Sequence, residues 1–351
     1  MTLRIIQWTT GNVGLPCLRA IAAHPELELV GCFAWSDEKV GRDAGELAGI
    51  APTGVLAKND VEALIALEPD CISYNPKWTN TDELVRFLEA GINVASTAGF
   101  ITGHSLPDDD RERIERACRQ GGASMFGSGV NPGFANLLAL VSAGICDRID
   151  RVSVLESADS TGYDSPETEL PVGFAQPITN PELPNMVRSG TAVFQDAVQM
   201  MADALHVELD EIVCESDFAV APEDLDLGYM KIPEGCVAGI EAHWLGRVDG
   251  DVVIDLGVRW RKGPRLEPDW ELDHGYRVEI EGRPCVKTKL EMRPPADFEA
   301  KRFSDFMQLG MIATGMPAVN AIPAVCAAAP GIRTYADLPL VTGAGLVRAG
   351  R

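Results

Sequence analysis

From residue 3 to about residue 145, strand-length apolar runs alternate with amphipathic segments, and this alternation constrains the chain more than any other feature. It is the pattern of a parallel sheet covered on both faces, because parallel neighbours must be joined by crossovers long enough to hold a helix. The strand-like runs are 3–8, 27–34, 70–75, 92–97 and 123–127. Between them, 15–23 reads as a helix with Pro16 in its first turn, and 61–67 as one led by Asn59 and Glu62 in a capping pair. A third, 81–90, carries Leu84, Val85, Phe87 and Leu88 before Gly91 stops it, and a fourth, 108–120, ends at Gly121 and Gly122.

Past residue 150 the pattern changes. Long, sometimes alternating β runs follow at 151–157, 211–219, 236–247, 251–262, 276–281 and 284–292, with one obvious helix at 191–205. These predict a single mixed or antiparallel sheet. The proline-rich stretch 158–190 has no clear period and reads as a lid or a dimer arm. Helix-like segments return at 303–315 and 318–328 and are expected to pack back on the first domain. The expected class is α/β: a doubly wound parallel sheet of Rossmann type over 1–150, then an α+β mixed-sheet domain over 151–302 for substrate and dimer contacts. C-terminal helices over 303–351 complete it.

Thirty basic and 52 acidic residues leave a formal charge of −22, with no Lys/Arg-rich stretch, so no nucleic acid partner is expected. The apolar runs read as too short for a bilayer span, and the first strand begins too early for a signal peptide. We therefore expect no membrane association and a cytoplasmic location. The nine cysteines are odd in number and include no Cys-x-x-Cys pair, as in a reducing compartment. No spacing of a metal site is present in the sequence, and no Gly-x-Ser-x-Gly elbow.

The residues Gln7-Trp8-Thr9-Thr10-Gly11-Asn12-Val13-Gly14 follow the first strand and open the first helix. They match Gly-x-Gly-x-x-Gly with Thr9 in place of the first glycine. In that motif the middle glycine lets the backbone approach a pyrophosphate, and the last permits tight helix contact at an anion-binding helix start. Cofactor type is read at the tip of the second strand, here Ala34-Trp35-Ser36-Asp37-Glu38-Lys39-Val40-Gly41-Arg42. Ser36, Lys39 and Arg42 favour the 2′-phosphate of NADP, while Asp37 argues for the ribose hydroxyls of NAD.

Through these motifs and others along its length, the chain resembles the dihydrodipicolinate reductase-like oxidoreductases. Within them it is similar to the 2,4-diaminopentanoate dehydrogenases and native amine dehydrogenases. The resemblance rests on QWTTGNVG, KVGRDAGELAGI, SYNPKW, FGSGVNPGF at 126–134 and VNAIPAVCAAAPGIRTYADLP near the end. It implies a homodimer, a mixed-sheet domain closing over the Rossmann domain, and hydride transfer between a nicotinamide cofactor and a carbon–nitrogen double bond of a small amine/carbonyl substrate. Residue by residue, it puts Gly11, Asn12, Val13 and Gly14 at the pyrophosphate and Ser36 and Lys39 near the adenosine ribose. Tyr74, Asn75 and Pro76 fall near the nicotinamide and its ribose, and Thr10, Thr97 and Asn131 join the cofactor's contacts. Asn131-Pro132 also reads as a helix cap with proline in the first turn.

One departure concerns the substrate. The amine dehydrogenases that the chain resembles carry a glutamate just after the strand here written Ile92–Thr97, whereas this chain continues Ala98-Gly99-Phe100-Ile101-Thr102-Gly103-His104. We expect Phe100 to make the substrate side more apolar and the proton donor to be Glu156, Asp159 or His104. The first two begin a loop rich in acids and hydroxyls, and His104 follows the altered segment. His243, in an alternating strand with Glu241, reads as a face residue of the sheet. The expected activity is an NADP-dependent, or NAD-dependent, reductive amination. The alternatives are a reductase of another C=N, C=O or C=C substrate, or a dinucleotide-binding sensor without turnover.

Overall fold

The computed structural model describes residues 2–300 and 304–347. The chain forms two compact units, one of residues up to Phe134 together with those from Gly310 on, the other Ala135–Leu309.

The first unit is built on a parallel sheet. Strands β1 (Leu3–Trp8), β2 (Leu27–Phe33), β3 (Ala57–Lys58), β4 (Cys71–Tyr74), β5 (Asn93–Ser96) and β6 (Ser124–Gly127) are joined by a last strand, Gly331–Arg333. Their spatial order is Gly331–Arg333, β6, β5, β4, β1, β2, β3. Alternate residues of one strand enter opposite cores. Ile6, Ile72 and Val94 pack with Trp8, Phe33, Phe87 and Ile114 on one face, while Ile5, Cys71 and Ala95 meet Cys17, Ile21, Val319 and Ile322 on the other. Burial on both faces is why these strands read as unbroken apolar runs. Trp8 stacks flat on Phe33, with centroids 4.0 Å apart, and meets Phe87 edge-on.

The expected helices form at Gly14–Ala23, Val61–Ile65, Thr81–Glu89 and Asp108–Gly121. The second is capped by Asp60, whose carboxylate accepts from the Ala63 amide at 3.0 Å, and not by Asn59. Asn59 instead donates to Asp37. The two C-terminal helices expected at 303–315 and 318–328 are one, Ser304–Ala327, which carries Pro317 and Pro323 inside it; residue 303 and residues 348–351 of the expected segment lie outside the described residues. A Cβ on Gly315 would stand 2.5 Å from Cys17 Sγ, so glycine lets this helix close on Gly14–Ala23. Contrary to the expectation from run lengths, Asp305–Ala327 has the length and mean hydropathy (1.5) of a membrane span. Its Ala318, Val319, Ala321, Ile322 and Val325 are fully buried in the protein, as in the core helix of a globular domain.

The second unit holds a six-stranded mixed sheet in the order Val286–Leu290, Gly275–Arg283, Arg148–Asp159, Asp251–Arg261, Val237–Val248, Glu211–Val220. Arg148–Asp159 runs parallel to Asp251–Arg261, and the other pairs are antiparallel. The unit begins at residue 135, where the sequence placed a boundary at 150. Helix Ala135–Ala143 follows β6 as a crossover helix would, yet it packs with Val193–Leu205 on the second sheet. The stretch 158–190 contains two helices, Pro166–Glu169 and Leu183–Gly190.

The opposite face of that sheet carries charge. His243 lies between Asp255 (Nδ1 to Oδ1 2.7 Å) and Glu241 (Nε2 to Oε1 3.1 Å). Arg259 forks onto Glu241 at 2.7 and 2.9 Å, and Arg151 pairs with Asp255. His243 is thus a face residue of the sheet. Hydrogen bonds to Asp255, then Glu241, raise it from 6.5 to about 9. A base raised in the folded state adds stability in full below about pH 6.5 and loses it as pH rises through about 9. Denaturant unfolding of wild type should therefore lose about 2 kcal/mol more than His243→Gln between these limits, after allowing for water around the ring. Parallel pH curves for the two proteins would contradict this.

Candidate functional site

The chain leaves β1 to form β2 on one side and later returns to form β4 on the other. The carboxyl ends of β1 and β4 are therefore where the connections part, the crevice in which open α/β sheets take ligands. One set of hydrogen bonds fixes both ends. The Gln7 amide nitrogen donates to the Thr9 carbonyl at 2.9 Å and to Asn75 Oδ1 at 2.7 Å. Thr9 Oγ1 donates to the Asn75 carbonyl at 2.9 Å, Ser73 Oγ to Asn75 Oδ1 at 3.1 Å, and Asn75 Nδ2 to Thr97 Oγ1 at 3.0 Å. These bonds tie β1, β4 and the end of β5 into one edge.

Thr9 stands where the motif has its first glycine and adopts φ 76°, a left-handed conformation costing a threonine of order 1–2 kcal/mol. Its bonds to Gln7 and Asn75 hold it there. A Cβ on Gly11 would meet nothing within 4 Å, so the turn is open on that side; on Gly14 it would meet the Thr9 carbonyl oxygen at 2.4 Å. No side chain caps the helix at Val13, and its first turn holds no acid. An open glycine beside an uncapped helix start fits the pyrophosphate of a dinucleotide, held by the backbone of Gly11, Asn12 and Val13. At the tip of β2, Lys39 Nζ donates to the Thr10 carbonyl at 3.1 Å and to Thr10 Oγ1 at 3.2 Å, which brings it to the same turn. Ser36 is exposed and its carbonyl accepts from the Lys39 amide.

Several expected contacts are placed differently. The Tyr74 side chain is fully buried, its hydroxyl donating to Glu83 Oε2 at 2.7 Å and its ring among Trp8 and Phe87. Tyr74 therefore belongs to the core, and only the backbone after it reaches the edge. Phe100 is buried in the same core and does not line a substrate surface. Pro132 (ψ 152°) lies before the helix that starts at Ala135, so Asn131-Pro132 is an extended turn and not a cap with proline inside the helix. Ser128 Oγ is 2.8 Å from the Tyr335 hydroxyl. Pro76 and Thr97 are half-buried at the edge, and His104 is exposed, with Nδ1 2.8 Å from Thr102 Oγ1.

In the second unit Glu156 Oε1 accepts from the Trp260 indole at 2.8 Å, and Asp159 Oδ1 accepts from the Thr161 amide at 2.9 Å. Three residues apart on one strand, they face opposite sides of the sheet and are not brought together. The sequence reading gave no role to Gln7 or Ser73, whose bonds fix this edge. A polar Gln7 inside LRIIQW and a Ser73 inside CISY were the available signals.

Gly14→Val should act through the Thr9 carbonyl, and so through the shape of the turn, rather than by a side chain lying against the ligand. Titration with NADPH should show at least about a tenfold loss of affinity with the seven-stranded parallel sheet intact, since the clash falls on backbone that cannot yield cheaply. Wild-type affinity would refute the turn as the binding element.

Residues 136–347 match the family model of the 2,4-diaminopentanoate dehydrogenase C-terminal domain. An amine dehydrogenase of Streptomyces virginiae is 33% identical over 99% of this chain and 98% of its own length. The amine dehydrogenase structure from Mycobacterium smegmatis superposes with a TM-score of 0.78 at 18% identity, covering 97% of both chains. The WlbA dehydrogenase of Bordetella pertussis, solved with NADH and UDP-GlcNAcA, gives 0.54 at 17% identity over 93% of this chain and 88% of its own. On these matches, and on a glycine turn fit for a nicotinamide dinucleotide, the chain belongs to the 2,4-diaminopentanoate dehydrogenase family of NAD(P)-dependent oxidoreductases.

Proposed function

We propose that this enzyme interconverts a small ketone or aldehyde plus ammonia with the corresponding amine, using NADP in preference to NAD. The reading is supported above all by the open Gly11 turn at the parting of the connections, in a chain of this family. Carbonyl and ammonia lose water to give an imine; a hydride to its carbon and a proton to its nitrogen give the amine. The bound dinucleotide supplies the hydride. Gly11, Asn12 and Val13 hold the pyrophosphate through backbone N–H groups, and Asn75, Thr97 and Asn131 orient the nicotinamide end. Lys39, already at the Thr10 side of the turn, takes the 2′-phosphate. A homodimer and a cytoplasmic location go with the same reading.

For the proton at nitrogen we assign Glu156 before Asp159 or His104. Glu156 shares a strand face with buried Val152 and Val154, pairs in register with Tyr276, and receives the Trp260 indole N–H. A carboxyl group held in place by a neighbouring donor can pass a proton to a nitrogen within hydrogen-bond reach.

The test is oxidation of NADPH by a panel of small ketones with and without ammonium. Turnover that requires ammonium supports the assignment, turnover without it points to a carbonyl reductase, and tight NADPH binding without turnover to a sensor. Lys39→Ala should weaken NADPH by about 1–2 kcal/mol and leave NADH nearly unchanged, as for one charge-assisted bond; equal losses for both would remove Lys39 from the 2′-phosphate. Glu156→Gln should lower turnover at least about tenfold, the low end for a general acid. Full activity in that variant moves the proton to another donor.

A further inference from the structure

The start of the 158–190 segment is tied to one buried cation. Lys262 follows the strand Asp251–Arg261 and has no exposed surface. Its ammonium donates to the Ser160 carbonyl at 2.8 Å and the Tyr229 hydroxyl at 3.0 Å, and pairs with Glu169 Oε1 at 2.5 Å. These three acceptors use all three N–H groups of the ammonium. The Phe174 ring centroid lies 4.9 Å from Nζ and that of Tyr229 5.5 Å, as in a cation–π contact.

Further bonds radiate from this centre. The Tyr229 hydroxyl donates to the Thr161 carbonyl at 2.9 Å, and the Gly263 amide donates to Thr161 Oγ1 at 2.8 Å. The Ser160 amide donates to the Arg261 carbonyl at 2.8 Å. Ser160, Thr161, Glu169, Phe174, Tyr229 and Gly263 are therefore gathered around a single charge. The far end of the segment is held separately, by Ala175 and Gln176 pairing with Val237.

A buried ion pair seldom stabilises a fold more than apolar residues of the same volume, but removing one partner leaves an uncompensated charge. Such a pair is suited to holding one conformation and to releasing it when one charge is lost. The balance at this site is delicate. Glu169 Oε2 is buried and has no hydrogen-bond partner, and Asp159 and Asp164 add negative charge around the pair. Burial, against the pull of Lys262, pushes the Glu169 carboxyl up to about 7, and burial also lowers Lys262. Tyr229 is raised by burial and then by Glu169, Asp164 and Asp159, so it remains a neutral donor.

We propose that Lys262 is a positioning residue whose ion pair with Glu169 holds the 159–174 segment in the conformation that accepts the substrate. This rests on the reading of the chain as an amine dehydrogenase whose substrate meets that loop of acids and hydroxyls. Removing either charge leaves its partner buried without a counter-ion, so the hold weakens when the pair is broken by substitution.

Hydrogen exchange on the full chain reads the hold without any turnover. Lys262→Met, which keeps the length and removes the charge, and Glu169→Gln should each raise exchange at the 159–174 amides at least about tenfold, with Val237–Val248 and Asp251–Arg261 unchanged. In turnover, both variants should raise KM for the carbonyl substrate at least about tenfold and leave NADPH affinity unchanged. Wild-type protection of the segment in both variants overturns the proposal, as does a loosened segment with unchanged KM. A wild type that never turns over, with variants that loosen the segment as described, refutes the enzymatic reading and the substrate part of this proposal, while upholding the ion pair as the hold.

Discussion

The carboxyl edge of the first sheet depends on one amide. Gln7 reaches from near the end of β1 to both the Thr9 carbonyl and the Asn75 side chain, and so couples the glycine turn to the end of β4. Without that amide, Thr9 would have less reason to keep its left-handed backbone, and the turn that opens at Gly11 would be free to relax. Buried polar groups that are fully bonded specify one arrangement, because each alternative leaves a donor or acceptor without a partner. Here the Gln7 amide nitrogen and the Asn75 side chain are bonded in that way, while Gln7 Oε1 is buried without a partner, at the point where the chain parts to either side of the sheet.

The second unit uses charge in two ways. On its polar sheet face, His243, Glu241, Asp255, Arg259 and Arg151 form a partly wet network in which each charge has an opposite neighbour. At the Lys262–Glu169 pair the charges are fully enclosed, one carboxylate oxygen lacks a partner, and the surrounding acids tilt the balance. The first arrangement resists change near neutral pH because His243 is held charged to about pH 9. The second titrates where Glu169 does, near 7. Pairing separates the two: on the sheet face several hydrogen-bonded opposite charges outweigh desolvation, and inside a single partner does not.

The first sheet was readable because its strands are buried on both faces and its helices on one, which writes two different periods into the sequence. Caps were readable only to within a residue, as at Asn59 and Asp60, since both side chains can accept the same amide. Tyr74 and Phe100 were misread as facing a ligand. A residue at a strand end points to the edge or into the core according to packing that its neighbours in sequence do not reveal, and both rings joined Trp8, Phe33 and Phe87. Lys262 and Glu169 left no pattern at all, since they lie 93 positions apart and meet only through folding.

By itself the sequence determined what local chemistry determines: the alternation that makes a parallel sheet, the glycines that open a turn at a helix start, the change of period beyond residue 150, and a family likeness spread along the chain. The tertiary structure alone decided that helix Ala135–Ala143 packs on the second sheet, that the two segments flanking Pro317 form one helix, and that Glu156 and Asp159 face opposite sides. It also decided that a lysine with no motif around it holds a long loop. These are contacts between residues distant in the chain, and their energy comes from burial and desolvation, which exist only once the surrounding elements are in place.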